Sequence, residues 1–256
     1  MDFLSKKKMP VFFQSHETEE VTYLVDGIKV RGFLMTPYSE VNRIVVYLRG
    51  GKGQVGKVRP GRIAQFKTDH TLLFAPYYRG SNGSEGRDEF GGKDLEDVTV
   101  GIQILKTLYP NVPIHMIGFS RGGIQGLLTY QKVNATSFII WGGVSDMLMM
   151  YDERIELRSM LRRMVGHPKK QRSEYELRNA IKDIHKDSPP ILIIHGKEDK
   201  QVSINMALHL ESHLKEEHVK YETIYKEGEG HVFRPQVERD TLEYIFKWMD
   251  KCENNE

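Results

Sequence analysis

Apolar residues in this chain gather into short β-branched runs separated by stretches with helical spacing. The first, 20–35, reads as two strands joined at Asp26-Gly27, a dipeptide suited to a tight hairpin because glycine tolerates φ > 0. Further runs at 43–48, 71–75, 113–117, 137–141, 190–195 and 219–225 predict strands. Between them, 93–109 places Leu95, Val98, Ile102 and Leu105 three and four residues apart, the pattern of one apolar helical face. Helices over 121–131, 203–216 and 236–251 follow on similar grounds. This alternation predicts an α/β fold: an antiparallel hairpin, then a mostly parallel central sheet with helices on both faces.

The length of 256 residues suits one domain, 1–256, with a substantial core. Lys and Arg number 37 against 35 Asp and Glu, a net charge of +2, so no dominant field points to nucleic acid. The single cysteine, Cys252, has no intramolecular partner; it is read as a bystander, and its solitude suits a reducing compartment. Pro10, Gln14 and Ser15 interrupt the sequence behind Lys6, Lys7 and Lys8, leaving no signal peptide, and no window approaches the roughly 18 apolar residues of a membrane span. A soluble, cytoplasmic protein is expected, monomeric or homodimeric. The segment 145–188 stands out as more charged and richer in methionine than its neighbours.

Candidate chemistry centres on Gly118-Phe119-Ser120-Arg121-Gly122, which lies where a predicted strand meets a predicted helix. A serine held in such a sharp turn projects its hydroxyl at the helix N-terminus, where the Arg121 backbone N–H can meet a developing oxyanion. The alternative is a serine that merely caps the helix. A serine nucleophile needs a base, usually histidine, oriented by a carboxylate, and in a strand–serine–helix elbow the chain order is serine, acid, histidine. His231 follows Glu227-Gly228-Glu229-Gly230 in a loop after the last predicted strand and is the candidate base; His209, His213 and His218 lie in or beside a charged helix. The strand 190–195 ends in two carboxylates, Glu198 and Asp199, and Gly196 turns the chain first, which favours Asp199. His195, at an apolar strand end, reads as a buried structural histidine.

The strand 43–48 runs into Arg49-Gly50-Gly51-Lys52-Gly53, a turn whose bare backbone can approach a carbonyl closely. A phosphate cradle competes, but the lysine followed by serine or threonine of a nucleotide loop is missing. Gly51, with Gly50 and Lys52 as neighbours, is therefore expected to complete an oxyanion hole.

These motifs, with Pro76-Tyr-Tyr-Arg79-Gly80-Ser81-Asn-Gly83-Ser, Gly91-Gly-Lys-Asp94-Leu-Glu-Asp97-Val and the stretch from Pro190 to Val202, resemble the catalytic domain of the prolyl oligopeptidase family of α/β hydrolases. The resemblance spans about Val41 to Trp248. It implies the α/β-hydrolase fold, Ser120, Asp199 and His231 as triad, Arg121 with the Gly50-Gly51 turn as oxyanion hole, and no metal or organic cofactor. It further implies that 145–188 is a helical lid, and that Arg79 holds its loop through a carboxylate such as Asp97. Two features depart from the family pattern: only about 40 residues precede the first core strand, leaving no propeller, and Arg49 stands where many relatives carry histidine.

Within the lid, Met147, Leu148, Met149 and Met150 form a flexible apolar cluster able to line a substrate pocket, or to pack the insertion onto the sheet. The basic residues from Arg154 to Arg172 read as a solvated helical face, with steering of anionic substrates as the alternative. Small esters are the leading substrates, being easier to cleave and needing no propeller; short peptides or acyl-peptides come second. A silent ligand-binding relative is the reading from outside enzymology.

Overall fold

The computed structural model describes residues 2–53 and 55–254. In chain order the strands and helices are β1 (Ser5–Lys8), β2 (His16–Val25), β3 (Ile28–Pro37), β4 (Arg43–Leu48), α1 (Pro60–Ala64), β5 (Thr71–Pro76), α2 (Asp94–Leu108), β6 (Ile114–Phe119) and α3 (Gly122–Leu127). There follow β7 (Ser137–Trp141), α4 (Met147–Glu153), α5 (Arg158–Met164), α6 (Arg172–Glu176), β8 (Ile191–Gly196), α7 (Ile204–Glu216), β9 (Tyr221–Lys226) and α8 (Pro235–Glu253). Among the described residues the strands form one sheet in the order β1-β2-β3-β5-β4-β6-β7-β8-β9. β1, β2, β3 and β5 pair antiparallel, and every pairing from β5 through β4 to β9 is parallel.

The expected hairpin is present, with Val25 opposite Ile28 and Asp26 and Gly27 at φ 50° and 80°, the left-handed pair that a two-residue turn of matching twist demands. The central strands are buried end to end because helices cover both faces. Strand periodicity divides their side chains between two cores. Val46, Phe74, Phe138 and Ile193 pack on the face covered by α2, α3 and α7, and Val45, Leu73, Ile139 and Ile194 on the face covered by α1 and α8.

Three differences from the sequence reading have local causes. β1 is a fully exposed strand with no apolar alternation to betray it. α1 has five residues and a single buried one, Ile63. α3 ends at Leu127 rather than running to Gln131, since Gly122, Gly123 and Gly126 weaken it and the Thr129 hydroxyl takes the Gln125 carbonyl. Gly126 is there for space: a Cβ would collide with the Phe138 ring. The segment between β7 and β8 carries the short helices α4, α5 and α6. Among the described residues no helix is long and apolar enough to cross a membrane.

Candidate active site

Ser120 sits between β6 and α3 at φ 55°, a left-handed conformation rare for a residue with a side chain. Its backbone is fixed on both sides: the N–H donates to the Trp141 carbonyl at 3.2 Å, and its carbonyl accepts from Gly123 and Val144, each at 2.9 Å. The flanking glycines are required by close approach, since a Cβ on Gly118 would strike the Gly122 carbonyl and one on Gly122 the Leu48 carbonyl. The Gly50 turn at the end of β4 lies over the serine, where an added Cβ would come within 2.8 Å of Ser120 Cβ and 3.3 Å of its Oγ.

Asp199 leaves the end of β8 and is held by its own loop. Oδ1 accepts from the backbone N–H groups of Gln201 and Val202 at 2.7 and 2.9 Å, and Oδ2 receives His231 Nδ1 at 2.7 Å. Burial opposes ionisation of this carboxyl, but the His231 hydrogen bond and the backbone donors outweigh it and hold its pKa below the ordinary value. An ionised carboxylate only accepts, so His231 Nδ1 is the donor in this bond, which leaves Nε2 as the ring nitrogen not engaged by Asp199. The imidazole packs 4.8 Å, centroid to centroid, from Phe119, the residue before the serine. Glu198 is exposed. His195 is buried, donates Nε2 to the Val202 carbonyl at 2.8 Å, and has a pKa lowered by that burial.

Ser120, His231, Gly50, Gly51 and Arg121 line one cavity of about 630 Å³. Of the four apolar residues at the start of the insertion, Met150 lines it; Met147 is buried in the core, and Leu148 and Met149 pack against that core. Arg154 also lines it, whereas Arg158, Arg162, Lys169 and Arg172 surround a separate open recess.

Two buried cations find partners that no sequence pattern marks. The Arg121 guanidinium is forked onto Asp88, at 2.7 and 2.6 Å, and reaches Asp94 at 2.9 Å. Arg49 has no carboxylate partner among the described residues. Its Nη1 donates to the carbonyls of Gly50 and Val55, and Nη2 to Ser81 Oγ and the Tyr77 carbonyl. Ser81 in turn donates to the Gly53 carbonyl, so Arg49 ties the glycine turn to the 77–81 loop from inside. Arg79 is fixed by Asp97 through two hydrogen bonds of 2.8 and 3.0 Å, the pairing expected for that loop.

A mostly parallel sheet flanked by helices, with a left-handed serine after β6 and an Asp–His pair from the ends of β8 and β9, defines an α/β hydrolase. Residues 69–256 match the prolyl oligopeptidase family. The chain is 41% identical over 254 residues to the uncharacterized peptidase YtmA of Bacillus subtilis, covering 96% of this chain and 98% of that one. It belongs to the prolyl oligopeptidase family and is a serine hydrolase. Solved structures share the fold. The acylaminoacyl peptidase of Pyrococcus horikoshii superposes with a TM-score of 0.80 at 18% identity, over 93% of this chain and 42% of that one. Acetyl xylan esterase 1 of a Thermoanaerobacterium species superposes at 0.69 and 12% identity, over 98% and 89%. The chain thus spans about two fifths of the acylaminoacyl peptidase it resembles.

Proposed function

We propose that this protein cleaves ester or amide bonds of small substrates through an acyl-enzyme on Ser120. The observation that carries the reading is the coincidence, in one cavity, of a serine at φ 55° and a histidine bound to a buried carboxylate at 2.7 Å. In this reading Ser120 Oγ attacks the carbonyl carbon while its proton passes to His231 Nε2, and Asp199 stabilises the imidazolium that forms. The oxyanion is met by the backbone N–H of Arg121 and one from the Gly50-Gly51 turn. Collapse breaks the bond to the leaving alcohol or amine, which takes the proton from His231. Water then repeats the sequence on the acyl-enzyme and frees the acid.

Small esters are the leading substrates; short peptides or acyl-peptides are the second reading, favoured by the peptidase name of the relative at 41% identity. The 145–188 insertion acts as the lid, since Met150, Arg154, Leu157 and Met160 form one wall of the cavity. The test is reaction with a fluorophosphonate probe, mapped by peptide mass spectrometry, alongside a panel of aryl esters and aminoacyl amides. Labelling at Ser120 that is lost in Ser120→Ala and severely reduced in His231→Ala supports the reading. A folded protein with no labelling sinks it.

A further inference from the structure

We propose that the cavity selects anionic substrates: esters or amides whose apolar body ends in a carboxylate. The inference rests on Ser120 being the nucleophile and deepens that reading by naming a substrate class.

Six cationic residues line the cavity, Lys52, Lys57, Arg59, Arg62, Arg121 and Arg154, and, among the described residues, no Asp or Glu does. These charges differ in availability. Arg121 is neutralised by Asp88 and Asp94, Arg62 is paired with Glu238, and Arg154 with Glu156. The side chains of Lys52, Lys57 and Arg59 have no hydrogen bond or ion pair among the described residues, although the backbone carbonyls of Lys52 and Arg59 accept from Val55, Arg62 and Ile63. Lys52 belongs to the glycine turn, and Lys57 and Arg59 follow it before α1, so one stretch of chain brings three uncompensated positive charges to the cavity that Ser120 lines. The whole chain carries a net charge of only +2, so this excess is local to the cavity rather than a reflection of overall composition.

The rest of the wall makes that charge effective. Val55, Val58, Phe119, Met150, Leu157 and Met160 present apolar surface, which favours an aliphatic or aromatic substrate body and concentrates the field of the cations. A carboxylate at the far end of such a body meets the cations without displacing an existing partner, whereas an ammonium meets like charge. Charges at the edge of a binding site act on capture and selectivity, and salt screens them.

The experiment compares kcat/KM for two matched esters, mono-4-nitrophenyl adipate and 4-nitrophenyl hexanoate, which differ in a terminal carboxylate. The ratio of the two is independent of how much of each preparation is folded. The wild type is expected to favour adipate at least about fivefold at low ionic strength, and to lose most of that preference in about 0.5 M salt. Lys57→Gln with Arg59→Gln should lower the ratio at least about threefold, and Lys57→Glu with Arg59→Glu should bring it below one. A wild-type ratio at or below one overturns the inference, as does a preference that both double variants keep. Fluorophosphonate labelling of the same preparations separates the two levels. Labelled enzyme without carboxylate preference overturns the substrate class alone, and unlabelled wild type removes the Ser120 reading and this inference with it.

Discussion

The guanidinium of Arg121, one residue past the serine, donates to the Asp94 carboxylate at the start of α2 over 2.9 Å, and both side chains are buried. Asp94 also accepts from the backbone N–H groups of Gly91 and Gly92 and from Gln125 Nε2. Burial would raise its pKa, but the Arg121 charge and these donors hold it below the ordinary value. The Gly91-to-Asp94 motif is thereby joined to the elbow through a single carboxylate.

Removing that carboxylate leaves Arg121 with Asp88 as its remaining carboxylate partner and strands three other donors. Asp94→Ala is expected to lower unfolding free energy by about 3–5 kcal/mol, measured by urea denaturation with the slope checked for two-state behaviour. A loss under about 1 kcal/mol would show that Asp88 alone compensates Arg121.

Ser120 at φ 55° holds a conformation that disfavours a side chain by roughly 1–2 kcal/mol, and glycine escapes that strain. Ser120→Gly is therefore expected to abolish fluorophosphonate labelling while raising stability by up to about 1 kcal/mol. A Tm below that of the wild type would contradict the claim that strain is stored at this residue.

The C-terminal helix is clasped at Glu253, whose Oε1 accepts from Arg43 Nε at 2.5 Å and from His115 Nε2 at 2.9 Å. Burial alone would raise this carboxyl, but the hydrogen bonds from His115 and Arg43 pull it to about 2 from an ordinary 4.5. The folded state thus binds the proton less readily than the unfolded one. The stabilisation is complete above pH 4.5 and is lost as pH falls towards 2. His115, whose pKa burial lowers from 6.5, adds a loss of the same sign that begins at milder acidity. Unfolding followed from pH 7 to 2 should show Glu253→Gln less stable than wild type at neutral pH and less steeply dependent on pH below 4.5. Parallel curves would refute this role for Glu253.

Periodicity located β2 to β9, most plainly where a strand alternates or is apolar throughout. It failed where burial leaves no mark: β1 is four exposed residues, and the insertion helices have five to seven residues each, too short to show a face. Ser120, Asp199 and His231 each stand beside a strand end with glycine nearby, and that signal is visible in the sequence itself. The partners of Arg121 are not visible there, because Asp88 and Asp94 lie 33 and 27 residues away and meet it only in three dimensions. Lys57 and Arg59 sit in a loop with no pattern at all, and only the cavity shows what they face.

The wall formed by Met150, Arg154, Leu157 and Met160 comes from chain inserted between β7 and β8, whereas Ser120, Asp199 and His231 hang from the ends of sheet strands. One wall of the cavity and the strand ends that carry Ser120, Asp199 and His231 therefore come from separable stretches of gene. Descendants of this framework can exchange one stretch by recombination while inheriting the other intact, and a graft of the 145–188 segment between relatives offers the laboratory the same route.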